Sequence, residues 1–310
     1  MKNKKILVFG SKGFIGENFC NRLLSNNTII KPKFLNNSNF NLGDFDNKKI
    51  FNIIKKYNFD YIINFHAHTD INYSNINYKY DFYHNCSITH SIIDALIKNK
   101  SKAFFLNIGT ATQVGFTNLK KIIDNNFRGK PLNIFDLHKQ YNEDFIAVLK
   151  KKHKLNATTL RFANVFGSGK THSKNRGVIN KIINRAILEK EITLFGNGNY
   201  IRDFIYIEDL IDGIIFSLKN HKKLKKDFYY LTSGKGITFN QFAKNINQVL
   251  FKKFKYKAKI KYKKWPKNSN LLDRRSFIGN SKNFIKITGW KTKYKLSDAI
   301  NHYIKNNKIT

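Results

Sequence analysis

A glycine-rich turn near the start of the chain constrains the fold more than any other sequence feature. The apolar run Ile6–Phe9 has the length of a buried strand, and it leads into Gly10-Ser11-Lys12-Gly13-Phe14-Ile15-Gly16 and a helical pattern that ends at Ser25. Glycine adopts backbone angles closed to other residues, and the amino end of a helix supplies free N–H groups and a partial positive charge. This strand–turn–helix spacing predicts a site for the pyrophosphate of a dinucleotide, the alternative being a turn that binds nothing.

Strand-length apolar runs alternate with helical patterns along the chain. The later strand runs are Tyr61–Phe65, Ala103–Ile108, Thr158–Phe162 and Asp203–Ile207, and the helical patterns include Phe14–Ser25, Phe45–Tyr57 and Asp81–Lys98. This alternation predicts an α/β fold with a Rossmann-type, doubly wound parallel sheet and helices on both of its faces. We expect residues 1–168 to form this domain, with 203–235 returning to it, and residues 169–202 and 236–310 to form a smaller C-terminal lobe.

The charge balance is strongly basic. The chain has 57 Lys and Arg against 20 Asp and Glu, a formal charge of +37. Such a balance favours nucleic acid, anionic lipid or anionic metabolites as partners. However, the basic residues are spread along the whole chain and Lys, Asn and Ile dominate throughout, so an AT-rich genome explains the charge better and we do not expect a nucleic-acid partner. The stretch Phe251–Lys264 reads as an exposed strand with one charged face, with an RNA-contacting strip as the alternative.

Membrane, disulfide and metal classes are not favoured by the sequence. No apolar stretch approaches the ~18 residues of a membrane helix, and the first apolar run is too short for a signal-peptide core. We therefore expect a cytoplasmic protein with no membrane partner. Cys20 and Cys86 are too few for a disulfide framework. His66 and His68 form the one close histidine pair, but no third ligand is nearby and we expect no metal.

The segment after the first helix bears on the choice of dinucleotide. In Rossmann-type folds an acidic residue at the end of the second strand binds a ribose 2′-hydroxyl, whereas a basic residue accommodates a 2′-phosphate. The segment Thr28–Leu35 contains no Asp or Glu, but it contains Lys31 and Lys33. The cofactor prediction is therefore NAD or NADP, with a lean towards NADP.

Several motifs occur in a fixed order along nearly the whole chain. After the glycine turn they are Gly43-Asp44-Phe45, Ile63-Asn64-Phe65-His66-Ala67, Asn85, Leu160-Arg161-Phe162-Ala163-Asn164-Val165-Phe166-Gly167, Gly196-Asn197-Gly198 with Arg202-Asp203-Phe204-Ile205-Tyr206-Ile207, and Ile287-Thr288-Gly289-Trp290-Lys291. In this ordered set the chain resembles the extended short-chain dehydrogenase/reductases, the NAD-dependent epimerases and dehydratases that modify nucleotide sugars. The resemblance implies cofactor contacts at Gly10, Gly13, Phe14, Ile15, Gly16, Asp44, Phe45, Phe65, His66, Ala67, Asn85 and Lys139.

The catalytic part of the resemblance is incomplete. The family uses a Ser or Thr, a Tyr and a Lys: the Lys holds the nicotinamide ribose and lowers the Tyr pKa, and the phenol moves the proton while hydride moves to or from the nicotinamide. Thr110 and Lys139 match the first and last positions, but Phe135 occupies the Tyr position. Another group could carry the proton, and the sequence candidates are Tyr78, Tyr80, Tyr83 and His138. Some members of the family catalyse their reaction without this Tyr, which is a second explanation. The third is that the protein binds its ligands without catalysing a reaction.

The resemblance also assigns a substrate side. Asn164 and Arg202 match positions that contact a nucleotide diphosphate, and Arg275 resembles a later arginine that clamps the same group. One guanidinium group can bind two phosphate oxygens at the same time. The residues after Gly167 are therefore expected to form the substrate-binding lobe. Family members commonly pair through two helices of the Rossmann-type domain, here those near Asp81–Lys98 and Lys139–Lys151. The resemblance therefore implies a homodimer.

Three functional hypotheses follow from the sequence. The first is an NAD(P)-dependent enzyme that epimerises, dehydrates, oxidises or reduces a nucleotide-diphosphate hexose. The second, suggested by Phe135, is a catalytically impaired protein that binds NAD(P) or a nucleotide sugar. The third, suggested by the charge alone, is an RNA-binding protein with this fold.

Overall fold

The structure is a computed structural model of the 310-residue chain. It describes residues 2–32, 47–116, 122–123, 127, 129–169, 177–266, 269 and 271–307. The chain divides into two compact units: the first comprises Met1–Gly115, Arg128–Arg161 and Ile215–Tyr229, and the second comprises Phe116–Phe127, Phe162–Ile214 and Tyr230–Thr310. The domain division expected from the sequence stays a prediction.

Eleven strands lie in the described residues. They are β1 (Lys5–Phe9), β2 (Thr28–Ile30), β3 (Tyr61–Asn64), β4 (Phe104–Thr110), β5 (Ala157–Phe162), β6 (Asn164–Phe166), β7 (Glu191–Phe195), β8 (Ile201–Tyr206), β9 (Phe228–Leu231), β10 (Gly236–Thr238) and β11 (Lys259–Lys263). Six of them form a parallel sheet in the order β2-β1-β3-β4-β5-β9. The order reverses direction next to β1, as in a doubly wound sheet, so the predicted fold class is confirmed.

Eleven α-helices accompany the strands in this part of the chain. They are α1 (Phe14–Leu23), α2 (Asn47–Lys56), α3 (Ile71–Ile76), α4 (Tyr78–Phe82), α5 (Ile88–Lys98), α6 (Ile134–His153), α7 (Val178–Leu188), α8 (Ile207–Lys219), α9 (Phe239–Phe254), α10 (Lys282–Thr288) and α11 (Leu296–Asn306). A π-helix, Tyr83–Ser87, lies between α4 and α5, so the single helix expected over Asp81–Lys98 is interrupted. Short 3-10 helices occur at Ala111–Val114, His221–Lys223 and Leu271–Arg274.

The smaller sheets belong to the second unit. One has the order β10-β8-β6 and the other pairs β11 with β7 in parallel. The strand expected at Asp203–Ile207 is therefore β8 of a small sheet and does not continue the main one, because a short apolar run carries no information about its pairing partner. The stretch Phe251–Lys264 is likewise only partly strand: it begins as the end of α9, and only β11 within it is extended and largely exposed.

Buried apolar side chains fill the space between the main sheet and its helices. A core cluster of the first unit joins Leu7 and Phe9 of β1 to Ile92 and Leu96 of α5, all of them inaccessible or nearly so. Burial of this kind contributes roughly 25 cal/mol per Å² of apolar surface. Among the described helices, none combines the length and the apolarity needed to cross a bilayer.

Each unit contains a buried charged side chain that joins separate segments of the chain. In the first unit Arg161 of β5 is fully buried, and its guanidinium donates to both carboxylate oxygens of Glu143 on α6 at 2.9 and 2.6 Å. In the second unit the Asp203 carboxylate accepts N–H groups from Ser233 (2.9 Å), Gly234 (3.0 Å) and Gly279 (3.2 Å). Each charge is compensated where it is buried, which is the condition for a buried charge to be tolerated.

Candidate active site

The glycine turn is shaped by close backbone approaches. Gly10 has a φ of +71°, and a Cβ there would lie 2.5 Å from the backbone nitrogen of His66. A Cβ at Gly16 would lie 2.2 Å from the carbonyl oxygen of Gly10. Gly13 is the N-cap residue of α1, and because it has no side chain it does not cap the first N–H groups of the helix. Because those first N–H groups carry no side-chain cap, the turn suits a bound anion.

The segment that follows β3 lies against this turn. The N–H of Phe65 donates to the carbonyl of Phe9 at 3.0 Å, and the ring nitrogens His66 Nε2 and His84 Nδ1 are 2.9 Å apart. Burial, helped by the neighbouring His84 and Lys139, lowers the pKa of His66 to about 3. His66 is therefore neutral at pH 7. The positive charge of Lys139, in the same unit, contributes to this lowering of the His66 pKa.

Thr110 stands at the carboxyl end of β4, where the 3-10 helix begins. Its hydroxyl accepts the N–H of Thr112 at 3.3 Å, and its own N–H donates to the side-chain oxygen of Gln113 at 2.8 Å. The Gln113 amide also approaches Glu143 at 3.5 Å. This reciprocal cap fixes the position of Thr110 at the edge of the sheet.

Phe135 and Lys139 lie one turn apart on α6. Both are buried, and the Lys139 Nζ is 5.7 Å from the centre of the Phe135 ring. Burial lowers the pKa of Lys139 to about 8, although Cys86 and Asp81 oppose the shift. Among the described residues no carboxylate lies within ion-pair distance of this ammonium. A buried cation without a partner is costly unless a ligand supplies one.

Asn85 lies within the π-helix. Its amide nitrogen donates to the Asp81 carboxylate at 2.9 Å and to the carbonyl of His68 at 3.0 Å. Its side-chain oxygen is buried and has no hydrogen-bond partner in the part of the chain that the structure describes. π-helices are rare and often mark functional sites, and an unsatisfied buried oxygen of this kind calls for a donor.

Asp81 gathers two histidines. His138 Nδ1 lies 2.6 Å from one carboxylate oxygen and His68 Nδ1 lies 3.1 Å from the other, while the Ser74 hydroxyl donates to the latter. Burial alone would raise the pKa of Asp81, but these hydrogen bonds lower it to about 2. Across the described residues no three His, Cys, Asp or Glu side chains are placed to hold a metal ion.

The four alternative proton carriers named from the sequence lie around this cluster. His138 lines a cavity of about 400 Å³ together with Tyr78, Lys79, Phe82, Tyr83 and Ser87. Thr110, Phe135 and Lys139 do not line that cavity. Tyr78 is exposed, and the ring of Tyr80 packs on His84 with centroids 4.3 Å apart.

The residues expected on the substrate side all lie in the second unit. Arg202 is buried, and its guanidinium donates to the carbonyls of Asp273 (2.8 Å) and Arg275. Burial, followed by the charge of Arg275, lowers the pKa of Arg202 to about 10. Asn164 is on β6, which pairs with β8 so that Asn164 faces Phe204 in register. The structure therefore brings Arg202 and Arg275 together, and it gives Arg202 a role in holding the segment that carries Arg275.

Two residues of the site escaped sequence reasoning. The Thr112 hydroxyl donates to the Asp136 carboxylate, and the Asn133 amide donates to the other oxygen of Asp136 at 2.7 Å. A threonine two residues after Thr110 and an acid directly after Phe135 were visible in the sequence. Their pairing was not, because the two segments are 24 residues apart along the chain.

Three residues of the predicted cofactor site cannot be placed. Asp44, Phe45 and Lys33 lie outside the described residues. Lys31 follows β2 directly and its side chain is exposed. The lean towards NADP is therefore not supported, because an exposed lysine in a chain with 57 basic residues distinguishes no dinucleotide.

Comparison with known proteins finds relatives of the same fold. The UDP-glucose 4-epimerase of Pisum sativum is 26% identical over 348 aligned residues, which cover 98% of this chain and 97% of that protein. The UDP-glucose 4-epimerase of Thermotoga maritima, solved with UDP-glucose, superposes with a TM-score of 0.82 at 21% identity and covers 98% of both chains. A Tyr-to-Phe mutant of UDP-glucuronic acid 4-epimerase from Bacillus cereus, in complex with UDP-4-deoxy-4-fluoro-glucuronic acid and NAD, gives a TM-score of 0.80 at 19% identity, covering 98% and 99% of the two chains.

A protein family also matches most of the chain. Residues 6–231 match the sequence pattern described as the NAD dependent epimerase/dehydratase family. That range contains the glycine turn, the main sheet from Ile6 onwards, Thr110 and Lys139. The chain belongs to the NAD dependent epimerase/dehydratase family.

Proposed function

We propose that this protein binds NAD(P) and transfers hydride between that cofactor and a nucleotide-diphosphate hexose, as an epimerase, dehydratase or reductase. The observation that carries the proposal is the state of Lys139. Its ammonium is buried in the first unit, beside the ring at position 135, and the described residues offer it no carboxylate partner. A group of this kind is suited to donate to the hydroxyls of a ribose.

The residues fit a nicotinamide dinucleotide. Gly10 and Gly16 leave room where a Cβ would collide with backbone, so a pyrophosphate can approach the uncapped amino end of α1. Lys139 would hold the nicotinamide ribose, and the unpartnered oxygen of Asn85 is a second polar atom that a ligand or its water could satisfy. The cofactor, when bound, supplies the hydride acceptor or donor. NAD and NADP are separated by titrating the purified protein with each and following binding by calorimetry.

The second unit supports the sugar-nucleotide part of the proposal. Arg275 is buried, its carbonyl accepts from the guanidinium of Arg202, and its charge lowers the pKa of Arg202, so two cations lie near each other. Since like charges repel, such a pair is stabilised by an anion, and a diphosphate is the anion that nucleotide sugars provide. Asn164 adds an amide on the adjacent strand β6.

Phe135 favours a second candidate function, a protein that binds NAD(P) and a nucleotide sugar without turning them over. The Bacillus cereus protein supports this candidate, because a Tyr-to-Phe mutant of it is in complex with NAD and UDP-4-deoxy-4-fluoro-glucuronic acid. A panel of nucleotide sugars incubated with protein and cofactor, read by mass spectrometry, separates the two. New sugar products would support the enzyme hypothesis. Binding of both ligands with no product from any sugar would support the hypothesis of a binding protein.

A homodimer belongs to the same proposal. Helix α6 and its neighbours expose Leu137, Tyr141 and Val148 at 49, 40 and 63% and Phe82 at 39%, a row of apolar side chains on one face of the first unit. Contiguous exposed apolar surface of this kind marks an interaction site. Light scattering after size exclusion measures the mass, and a monomer at micromolar concentration would contradict this part.

A further inference from the structure

Five segments of the first unit lie side by side where strands of the main sheet begin. They are residues 2–5, 55–60, 94–102, 150–156 and 219–227, which lead into β1, β3, β4, β5 and β9. Backbone hydrogen bonds at the starts of these strands hold the segments in one row: the Asp60 N–H donates to the Lys5 carbonyl (2.9 Å), the Phe104 N–H to the Asp60 carbonyl (3.0 Å), the Phe105 N–H to the Asn156 carbonyl (2.8 Å) and the Thr159 N–H to the Asp227 carbonyl (2.9 Å). We call the surface of these five segments the amino-edge face.

The amino-edge face collects lysines that are far apart in the sequence. In the order given above, its segments hold one, two, three, three and five exposed lysines. In a parallel sheet every strand starts at the same edge, and the helix that precedes a strand ends at that edge. Apart from Lys2, these lysines lie in the last turn of such a helix or in the loop after it. The first turns of α1, α2, α5 and α6, at the opposite edge, hold two lysines, Lys48 and Lys49.

Acidic side chains do not balance this charge. The five segments contain three acids, and each is already in an ion pair: Asp60 with Lys4 (2.8 Å), Asp94 with Lys98 (2.9 Å) and Asp227 with Lys150 (3.4 Å). The dipole of a helix favours cations only near its last turn, so it does not account for the lysines of the loops. Like charges crowded on one surface repel one another, and an anionic partner relieves that repulsion.

The composition of the amino-edge face favours a lipid surface over a nucleic acid. The five segments contain no arginine, and their two large aromatic side chains, Tyr57 and Phe59, are half-buried and buried. Proteins that bind nucleic acid stack bases on exposed aromatic rings and contact bases and phosphates with arginine. Lysine is a compact point charge, and clusters of it are attracted to any anionic lipid headgroup.

The dimensions of the face also suit a broad partner. From β1 to β9 the sheet has five adjacent strands, which span about 20 Å at the usual strand spacing. The helices packed on the sheet widen this edge by about 10 Å on a side. Charge interactions across water fade over about 10 Å at 0.1 M salt. A single nucleic-acid strand would therefore reach only part of these lysines, whereas the surface of a bilayer reaches them together.

We propose that the amino-edge face binds the surface of an anionic phospholipid bilayer. The sequence predicted no membrane partner because no apolar run could span a bilayer, but binding at the surface needs no such run. The proposal goes beyond the proposed function and does not depend on it. Ligands of a doubly wound sheet bind at the carboxyl ends of the strands, so the glycine turn would stay open in the bound protein.

Sedimentation with sucrose-loaded vesicles measures this binding in the full-length, cofactor-free protein. At about 0.1 M salt the wild type should pellet with phosphatidylcholine vesicles that contain about one third phosphatidylglycerol, and it should stay in solution with phosphatidylcholine alone. Raising the salt to about 0.5 M should release the bound protein, because the attraction between lysines and headgroups is screened.

Four exposed lysines of the amino-edge face are replaced together to test its location. The variant carries Lys102→Gln, Lys151→Gln, Lys152→Gln and Lys223→Gln. Each basic residue near an anionic surface contributes roughly fivefold in partitioning, so the variant should bind the anionic vesicles ~10²–10³-fold more weakly. Its melting temperature should be unchanged or higher, since the replaced charges are exposed and repel one another.

The matched control removes the same charge from the second unit. Lys244→Gln, Lys282→Gln, Lys286→Gln and Lys305→Gln together replace four exposed lysines and leave the amino-edge face intact. Because charges away from the bound surface are screened, vesicle binding should change by at most about threefold. Equal losses in the two variants would show that the total charge, and not this face, attracts the vesicles, and the proposal would then be wrong.

Two further results would overturn the proposal. One is a wild type that does not bind the anionic vesicles or binds the neutral vesicles equally well. The other is a wild type that binds a single-stranded RNA oligonucleotide but neither kind of vesicle, with the RNA affinity lost in the amino-edge variant, which would assign the face to nucleic acid. None of these results bears on hydride transfer, so the proposed function is judged by its own assay.

Discussion

At the residue scale, the glycines of the turn are under different steric demands. Gly10 has a positive φ and a backbone nitrogen 2.5 Å from its hypothetical Cβ, whereas Gly13 has an ordinary φ of −75° and its nearest neighbour, the Gly10 carbonyl oxygen, lies at 3.3 Å. A side chain is therefore tolerated at Gly13 with a small adjustment and is excluded at Gly10. This difference allows the charge of the site to be tested without unfolding the protein.

We expect Gly13→Asp to abolish cofactor binding while the chain stays folded. Asp is a favourable helix N-cap, so α1 should be retained, but its carboxylate would occupy the pyrophosphate position and repel the cofactor. Gly13→Asn, of the same shape and without charge, is the matched control and should bind more tightly than the Asp variant. Calorimetric titration with NAD and NADP measures both, and thermal melting checks the fold. Undiminished affinity in Gly13→Asp would remove the turn from the site.

Lys139 predicts a pH-dependent gain in stability when its charge is removed. Its pKa is lowered to about 8 by burial, so below pH 8 the folded state carries a buried charge that the unfolded state solvates better. Lys139→Met should raise the free energy of unfolding by on the order of 2–3 kcal/mol at pH 7. The gain should shrink as pH rises above 8, where wild-type Lys139 loses its proton in the folded state.

Urea unfolding at pH 7 and at pH 10 measures this effect in cofactor-free protein. Lys98→Met, at an exposed position paired with Asp94, is the control and should change little at either pH. A Lys139→Met variant less stable than wild type at pH 7 would mean that the ammonium has a partner in the folded chain. The same variant should lose cofactor affinity, because the ribose would lose its donor.

At the scale of elements, the sheet and α6 are joined by one buried ion pair. Arg161 of β5 is fully buried, bonds both oxygens of Glu143, and its guanidinium carbon lies 3.8 Å above the centre of the Phe228 ring. Because Glu143 also approaches Gln113, which caps Thr110, the pair connects the packing of α6 to the position of Thr110. Burial raises the pKa of Glu143, and the charge of Arg161 opposes the shift.

Removing Glu143 should therefore be costly. Glu143→Ala leaves the Arg161 charge buried without its partner, and a broken buried pair costs about 3–5 kcal/mol. The exposed pair between Arg185 and Glu189 is the matched control, since Glu189→Ala should cost at most about 1 kcal/mol. Urea unfolding of both variants measures the difference. Equal and small losses would show that the buried pair contributes no more than a surface pair.

The two arginines of the second unit should behave differently from each other. Arg275→Ala should weaken nucleotide-sugar binding by on the order of 2–3 kcal/mol, the loss of a charged bidentate contact, and should leave cofactor affinity unchanged. Arg202→Ala should in addition lower the melting temperature, because its guanidinium holds the carbonyls of Asp273 and Arg275. Calorimetry with each ligand and thermal melting give the comparison. An equal loss of affinity for cofactor and nucleotide sugar in Arg275→Ala would show that this arginine stabilises the fold and does not bind the sugar nucleotide specifically.

The elements that sequence reasoning placed correctly are those whose signal is local. The glycine turn, β1 and α1 are contiguous, and their pattern needs no distant partner. The π-helix was invisible, because Tyr83–Ser87 continues the apolar spacing of the helices on either side. The sheet to which β8 belongs and the pairing of Thr112 with Asp136 depend on segments far apart in the chain. Periodicity cannot report such contacts.

At the scale of the whole molecule, the formal charge of +37 is spread over both units. Self-repulsion at this charge density destabilises the compact state, and salt screens it with a Debye length of about 10 Å at 0.1 M. We expect the melting temperature to rise with added sodium chloride between 20 and 300 mM, in cofactor-free protein. Affinity for a nucleotide sugar should fall over the same range, because the attraction of its diphosphate is screened as well.

Differential scanning fluorimetry and calorimetry follow the two trends. Melting at a constant temperature across this salt range would show that the basic residues are already compensated in the folded protein. A salt series with single-stranded RNA in place of the sugar tests the remaining hypothesis for the charge, since phosphate-driven binding falls steeply and linearly on a log–log scale.

The hydrogen bonds of Asp203 set a limit on how far the chain can be trimmed. The carboxylate collects N–H groups from two loops that lie 30 to 76 residues further along, the last of them at Gly279. A fragment that stopped before Gly279 would keep the buried acid and lose one of its donors, together with Trp290, whose indole holds the carbonyl of Asp209. The segment from Gly279 to Trp290 is thus part of the scaffold, so a minimal version of this protein for crystallography or fusion must retain it.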